Sequence, residues 1–197
     1  MRAVIQRVSS ASVTVDSQTV SSISRGLMCL IGIGDDDTAK DSEYIANKIL
    51  SLKIFDDAST GAMWKQSVKD IQGEMLCVSQ FTLMAKTVKG AKPDFHKACL
   101  SNVWLFQYSS RIRQCRSKQN GELSRPMYAN FLELLAKGYD PARIKDGQFG
   151  AMMSVSLTNE GPVTITIDSR KFEYTPVAET NSKKKNADQP SVDKSTV

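Results

Sequence analysis

Side chains able to do chemistry are scarce in this sequence, and their scarcity narrows the choice of mechanism. There is one histidine, His96, in a loop rich in Lys, Pro and Asp. A Ser-His-Asp or Cys-His nucleophile would have to recruit it, and no serine sits in a G-x-S-x-G elbow. In that setting His96 reads as a solvated loop residue rather than a base. Cys29, Cys77, Cys99 and Cys115 are scattered with no CxxC pair, so one histidine and isolated thiols do not make a zinc site. Asp35-Asp36-Asp37 falls between an apolar run and a helical pattern, where helix capping is the expected role. Gly32-Ile33-Gly34 lacks the third glycine and the lysine of nucleotide-binding loops. If the chain is an enzyme, it must use backbone donors and groups carried by its substrate.

Two short stretches could do so. Ser79-Gln80-Phe81-Thr82-Leu83 leaves an apolar strand with polar and hydroxyl-bearing positions around an aromatic. Backbone N–H groups turning outward there, beside a hydroxyl, are what an oxyanion hole requires. An ordinary strand end would look the same. Asn159-Glu160-Gly161-Pro162-Val163-Thr164 lies between two strand-like segments and reads equally as a plain Gly-Pro turn.

The elements that must hold these stretches are mainly strands. Residues 3–8 and 12–15 alternate as two strands, and Leu27–Ile33 is an uninterrupted apolar run of the kind buried on both faces. Gly34–Thr38 supplies a turn and cap for a helix reaching about Leu50, and residues 52–55 read as a further strand. A polar loop over 56–73 carries Trp64, and Glu74–Gln80 is the strand that ends at Ser-Gln. Residues 124–137 form an amphipathic helix with Pro126 in its first turn. Strands at 149–157 and 163–167 flank the Gly-Pro stretch. The order predicts an α+β fold: a single compact domain over residues 1–175, with a curved, barrel-like, mostly antiparallel sheet and two or three packed helices. Residues 176–197, rich in Lys, Ser, Asn and Asp, read as a disordered polar tail.

The chain has 197 residues, 41% of them hydrophobic, which is enough for one domain with a real core. No apolar run reaches membrane-spanning length, and the first residues alternate rather than forming a signal peptide. A soluble cytoplasmic protein with reduced core thiols is expected, with no membrane partner. The net charge is +5, with a pI near 9.0. The excess is local: residues 99–125 hold Arg111, Arg113, Arg116, Lys118 and Arg125 against Glu122. Charge alone therefore does not identify a nucleic-acid partner.

Several separate motifs recur together. They are Gln6-Arg7-Val8, Ala11-Ser12-Val13, Lys48-Ile49-Leu50 with Ile54-Phe55, Ser79 to Leu83, Lys92-Pro93-Asp94-Phe95, Gly147 to Ala151 and Asn159 to Thr164. In this order and spacing the chain resembles the D-aminoacyl-tRNA deacylases, from residue 1 to about 170. The resemblance implies a homodimer that hydrolyses the ester between a D-amino acid and the terminal ribose of tRNA, with no metal and no cofactor. It places Ser79, Gln80, Phe81 and Thr82 at the catalytic end of the pocket, with Phe81 and neighbouring N–H groups holding the oxyanion. Thr82 is cast in the family as a nucleophile, yet no base is visible to activate it. The ribose 2′-OH assisting the attacking water is the favoured alternative. The resemblance makes Gly161-Pro162 a Gly-cisPro motif inserted by the dimer partner. Its two carbonyls would point the same way, giving a wall that rejects an L side chain. Arg7 would brace that wall, and Phe149 and Met153 would line the pocket near the adenosine or simply pack in the core. A filter of this kind cannot exclude glycine, so Gly-tRNA is an expected second substrate.

Residues 98–123 depart from the family pattern. They include Val103-Trp104-Leu105-Phe106 and the arginine-rich stretch to Lys118. They read as a disordered loop, as translated non-coding sequence or, ranked below these, as a tRNA-contacting insert. Two rival functions remain: a nucleic-acid-binding module without catalysis, drawing on that insert and Lys183–Lys185, and a small-molecule esterase or amidase using Thr82 as nucleophile.

Overall fold

One strand organises the sheet. In the computed structural model, β1 runs through Arg2–Val15 without a break, where the sequence pattern predicts two strands. The structure describes residues 1–88, 90–99 and 120–171, with backbone alone at 120–123. The polar tail and residues 100–119 of the 98–123 segment, Cys115 among them, lie outside the described residues. Asp16 and Ser17 both take positive φ, 48° and 65°, the two-residue turn that matches strand twist. It folds β2 (Gln18–Ile23) back along the second half of β1. β3 (Gly26–Gly32) covers the first half along the same edge. β6 (Ser154–Asp168) covers the whole of the other edge.

Beyond β3 the sheet becomes parallel. β4 (Glu74–Ser79) pairs with β3, and β5 (Ile144–Asp146) pairs with β4, both parallel. Parallel neighbours need a crossover, and each has a helix in it: α1 (Ala39–Ser51) before β4 and α2 (Asn120–Gly138) before β5. Three of the five strand pairings are antiparallel, so the mostly antiparallel, barrel-like α+β sheet with two helices is borne out. The Ser21 hydroxyl donates to the Asp146 carbonyl, bringing β2 towards the far edge of the sheet. Residues 52–55 form no strand; Phe55 makes one isolated bridge to Gln66. α2 begins four residues before the predicted start, which leaves Pro126 inside it.

Period-two alternation builds two cores. On one face Ala3, Ile5, Leu27, Cys29, Ile31, Met75 and Cys77 meet Ile45 and Ile49 of α1 and Tyr128, Phe131 and Leu135 of α2. On the other, Val8, Ala11, Val13, Val15, Met28, Leu76 and Val78 pack together. β3 is buried on both faces, as its unbroken apolar run requires. β1 serves both cores because it spends one more residue than β6 between Val8 and Ser10, which puts Ala11, Val13 and Val15 on the face that Val8 already occupies. At the start of α1, the Asp41 carboxylate accepts from the Thr38 N–H and hydroxyl, both at 2.8 Å. Among the described residues no helix is long and apolar enough to cross a membrane.

The Tyr128 hydroxyl of α2 donates to Asp146 at the end of β5, at 2.6 Å. Burial pushes the Asp146 carboxyl above its ordinary range, while the Tyr128 hydroxyl and the Gly147 N–H pull it back. A carboxyl raised in the folded state keeps its proton longer there than in the unfolded chain. Its ionisation therefore costs stability as pH rises through the ordinary carboxylate range. Asp146→Asn should shift the stability difference in the variant's favour between about pH 3 and about pH 7, read from urea midpoints. A difference that does not change with pH would contradict this.

Candidate functional site

The end of β4 changes direction abruptly. Ser79 pairs with Ile31, and the Gln80 N–H adds one more ladder bond to the Ile31 carbonyl at 2.7 Å. The chain then enters a single 3-10 turn, Phe81–Met84, with Gln80 as its cap. The first N–H groups of such a turn have no acceptor within it. Leu83 N–H bonds to Gln80 O at 3.2 Å and Ala85 N–H to Thr82 O at 3.1 Å. Thr82 N–H has no partner among the described residues.

Three contacts fix this turn. Arg2 donates to the Leu83 carbonyl at 3.0 Å while its Nε holds Asp168 at 2.6 Å. Phe81 meets Phe95 edge-to-face with centroids 5.3 Å apart, and Phe95 sits beyond a loop closed by mutual Lys86–Asp94 backbone bonds. Beneath the turn, a Cβ on Gly32 would lie 2.8 Å from Leu83 Cβ and 3.1 Å from the Gln80 carbonyl. Only glycine lets the turn sit down on β3.

The chemistry of the turn is that of donors. Gln80 Nε2 donates to the Thr82 hydroxyl, and an amide in either orientation has no basicity to offer. His96 is exposed and bound to Asp94, its neighbour in the loop. Hydrogen bonds from the backbone and ring of His96 hold the Asp94 carboxyl below its ordinary range. Among the described residues no side-chain base is bonded to Thr82. Among the described residues no group of three His, Cys, Asp or Glu could hold a metal ion.

Phe149 and Met153 belong to the same end of the sheet. The Gly147 N–H bonds to Cys77 O at 3.1 Å, and a Cβ there would lie 3.4 Å from Val78, the residue before Ser79. Met153 folds back so that its sulfur accepts from the Gln148 N–H at 3.3 Å and packs on the second core. Phe149 packs on the first core, 5.5 Å from the Tyr128 ring, with the Arg125 guanidinium 5.1 Å over its face. Both residues are half-buried, and both do packing work beside the turn. The strand predicted from residue 149 begins only at Ser154.

Gly161 and Pro162 lie elsewhere. Between the pairs Gln6↔Thr164 and Val8↔Asn159, β1 spends one residue, Arg7, while β6 spends residues 160–163. The surplus stands out as a bulge, and β6 is one strand through it rather than two. Asn159 pins the bulge, accepting from Val163 N–H and donating to Thr164 Oγ1, both at 3.0 Å. Arg7 is buried behind it, giving Nε–H to Glu160 O at 3.2 Å and Nη1–H to Ile54 O at 2.7 Å. Arg7 thus ties the backbone of the bulge to the end of the segment after α1. Gly161 has φ +113°, and a Cβ on it would lie 2.7 Å from the Arg7 guanidinium. No cis peptide bond occurs among the described residues, so Gly161–Pro162 is trans. This corrects the expectation of a cis bond with paired carbonyls. A trans X–Pro bond is favoured by about 0.5–1 kcal/mol, and the left-handed glycine turns the chain without isomerisation.

Within one chain the two stretches stay apart. Ser79 is level with Ile31, Ala3 and Ile167, whereas the bulge is level with Arg7. Four residues along β1 and three strand spacings across it amount to roughly 20 Å along the sheet. The Asn159 clamp, the Arg25–Glu160 ion pair (3.1 Å) and Arg125 over Phe149 escape a sequence reading centred on catalytic groups. Asn159, Glu160 and Phe149 lay inside motifs already singled out, while their partners Arg25 and Arg125 did not.

Donors without a base, set at a strand end, suit hydrolysis of an activated ester, whose carbonyl needs its developing charge held more than its nucleophile deprotonated. The family model described as D-Tyr-tRNA(Tyr) deacylase matches residues 4–121 and 108–168, its two pieces meeting within the 98–123 segment. A D-aminoacyl-tRNA deacylase of Candida glabrata is 49% identical over 169 residues, covering 86% of this chain and 99% of the relative. D-aminoacyl-tRNA deacylase 1 of Danio rerio is 47% identical over 169 residues, 86% of this chain and 71% of the relative. A solved structure titled c-Myc DNA Unwinding Element Binding Protein superposes with TM-score 0.72 at 45% identity, covering 85% of this chain and 98% of its own. This chain belongs to the D-Tyr-tRNA(Tyr) deacylase family.

Gly32→Ala tests how far the chemistry depends on the seat of the turn. It should lower kcat on a D-aminoacyl-tRNA about 100-fold, because displacements near 1 Å cost that much. Stability should fall by only about 1–3 kcal/mol. Unchanged kcat in a folded variant would mean that the turn is not the reacting element.

Proposed function

We propose that this chain, as a cytoplasmic homodimer, frees tRNA from D-amino acids by hydrolysing the ester to the terminal ribose. Family membership supplies the reaction, D-aminoacyl-tRNA deacylation. The observation that carries the mechanism is the Thr82 N–H at the start of a turn, which among the described residues has neither a partner nor a base beside it. The ester carbonyl lies against the backbone at Phe81 and Thr82, flanked by Ser79 and Gln80. Donors of this type are worth about 3–4 kcal/mol each as the oxyanion forms. The ribose 2′-OH assists the attacking water, which makes RNA obligatory, and Thr82 stays unmodified throughout. Phe149 and Met153 border the terminal adenosine.

The Glu160–Pro162 bulge comes from the partner chain and fills the space that an L side chain would need. Two observations support a shared pocket. The first is the separation of about 20 Å between the turn and its own chain's bulge. The second is the state of β6, which pairs with β1 alone. Its residues 154–158 are exposed at every position, with Val155 and Leu157 among them. An open edge of that length needs a cover. Glycine carries no side chain for the bulge to reject, so Gly-tRNA is cleaved as well. The relative titled for DNA unwinding element binding keeps a second reading in view, nucleic-acid binding without hydrolysis.

Deacylation of D-Tyr-tRNA, L-Tyr-tRNA and Gly-tRNA, followed side by side, separates these readings. The D and glycyl esters should be lost rapidly while the L ester persists, and Thr82→Ala should retain most activity. A drop above about 100-fold in Thr82→Ala would restore the nucleophile. Equal persistence of the D and L esters would favour binding alone.

A further inference from the structure

The loop from Phe55 to Gln66 presents a side chain that no core claims. Trp64 is 48% exposed and Met63 69%. Trp64 also holds φ +62°, a left-handed conformation that a bulky residue adopts only when its surroundings impose it. The surroundings do so from both sides. Trp64 N–H donates to Asp56 Oδ1 at 3.1 Å. Lys65 and Gln66 N–H both donate to the Phe55 carbonyl, at 3.0 and 2.9 Å, and Phe55 N–H returns to Gln66 O at 3.0 Å. The fold thus spends backbone strain to keep an indole facing outward.

Its neighbours give the direction of that display a meaning. Asp56 lies 3.9 Å from Arg7 Nη1, the same guanidinium that holds Glu160 O. Trp64 is therefore fixed to the bulge through Arg7. The carboxylates of the loop are occupied: Asp56 by Trp64 and Arg7, Asp57 by Ser59 and Thr60, Asp70 by Ser67. The cations Lys53, Lys65 and Lys69 are exposed. An outward aromatic with the exposed Lys65 next to it in sequence is the chemistry that binds unpaired nucleotides, through base stacking and phosphate attraction.

We propose that Trp64 is a positioning residue on which an unpaired nucleobase preceding the tRNA's terminal adenosine stacks. The inference rests on the reading in which the bulge enters the partner's pocket, since the Trp64 loop then forms the rim of that pocket. Stacking there sets the approach of the 3′ end and leaves the oxyanion donors untouched.

Two substrates distinguish this role from a structural one: D-Tyr-tRNA, and the 3′ D-tyrosyl ester of adenosine, which has no preceding nucleotide. Trp64→Ala should lose about 5- to 100-fold in kcat/KM on D-Tyr-tRNA, through KM with kcat held. It should lose nothing on the adenosine ester, and Trp64→Phe should restore most of the deficit. Equal losses on both substrates, no loss on either, or a variant that sediments as a monomer while the wild type is a dimer would each overturn the proposal. A wild-type protein that hydrolyses neither ester would instead overturn the functional reading beneath it.

Discussion

A guanidinium taken out of water must have its donors filled, and in this protein the demand falls on Arg7. It is the one charged residue buried as a whole among the described residues. Its acceptors are the carbonyls of Ile54 and Glu160, with Asp56 further out. Removing one partner of a buried charge costs far more than a surface pair contributes, so the loop after α1 and the bulge of β6 are bound into one unit. Arg7 keeps regular register with β3 and lies just before the step between Val8 and Ser10 at which β1 carries its apolar residues from one core to the other. A second arginine adds to that unit: Arg25 lies over Phe55 and pairs with the Glu160 carboxylate.

The other half of the candidate site is built on the opposite principle, with the Thr82 N–H left without a partner among the described residues instead of a buried charge satisfied. β4 ends because its chain must turn away from β3, and the absence of a side chain at Gly32 decides how closely that turn can lie. Arg2 and the Phe81–Phe95 contact keep it in place. A donor fixed before the substrate arrives needs no reorganisation when charge develops. This arrangement suits an ester that brings its own hydroxyl, and it explains why one solvent-facing histidine is no handicap.

Much of this was legible in the sequence because the signals were local. The Leu27–Ile33 run gave a strand buried on both faces, the Gly34–Thr38 stretch gave the start of α1, and the polar break at Ser79-Gln80 gave the end of β4. Motif spacing gave the family. What escaped depends on partners distant in the chain. Residues 3–8 and 12–15 looked like separate strands because their apolar phase changes, but the change is a bulge within one strand. Residues 52–55 have strand composition, yet only Phe55 finds an acceptor across the loop. The Gly161–Pro162 bond was expected cis from its motif and is trans, since φ of Gly161 and the Asn159 clamp already supply the turn.

The central claim is that the oxyanion turn and the bulge act together across two chains. Refolding Gly161→Ala, which drives a Cβ into Arg7 and displaces the wall, with an excess of Gly32→Ala, which displaces the turn and keeps the bulge, tests it most directly. Alone, Gly161→Ala should cleave L-Tyr-tRNA as well as D-Tyr-tRNA, and Gly32→Ala should be slow on both. In a mixed dimer the intact turn faces an intact bulge, so cleavage of L-Tyr-tRNA should fall while cleavage of D-Tyr-tRNA persists. If L-Tyr-tRNA cleavage is unchanged in mixed dimers, each chain carries its own complete site and the shared pocket is wrong.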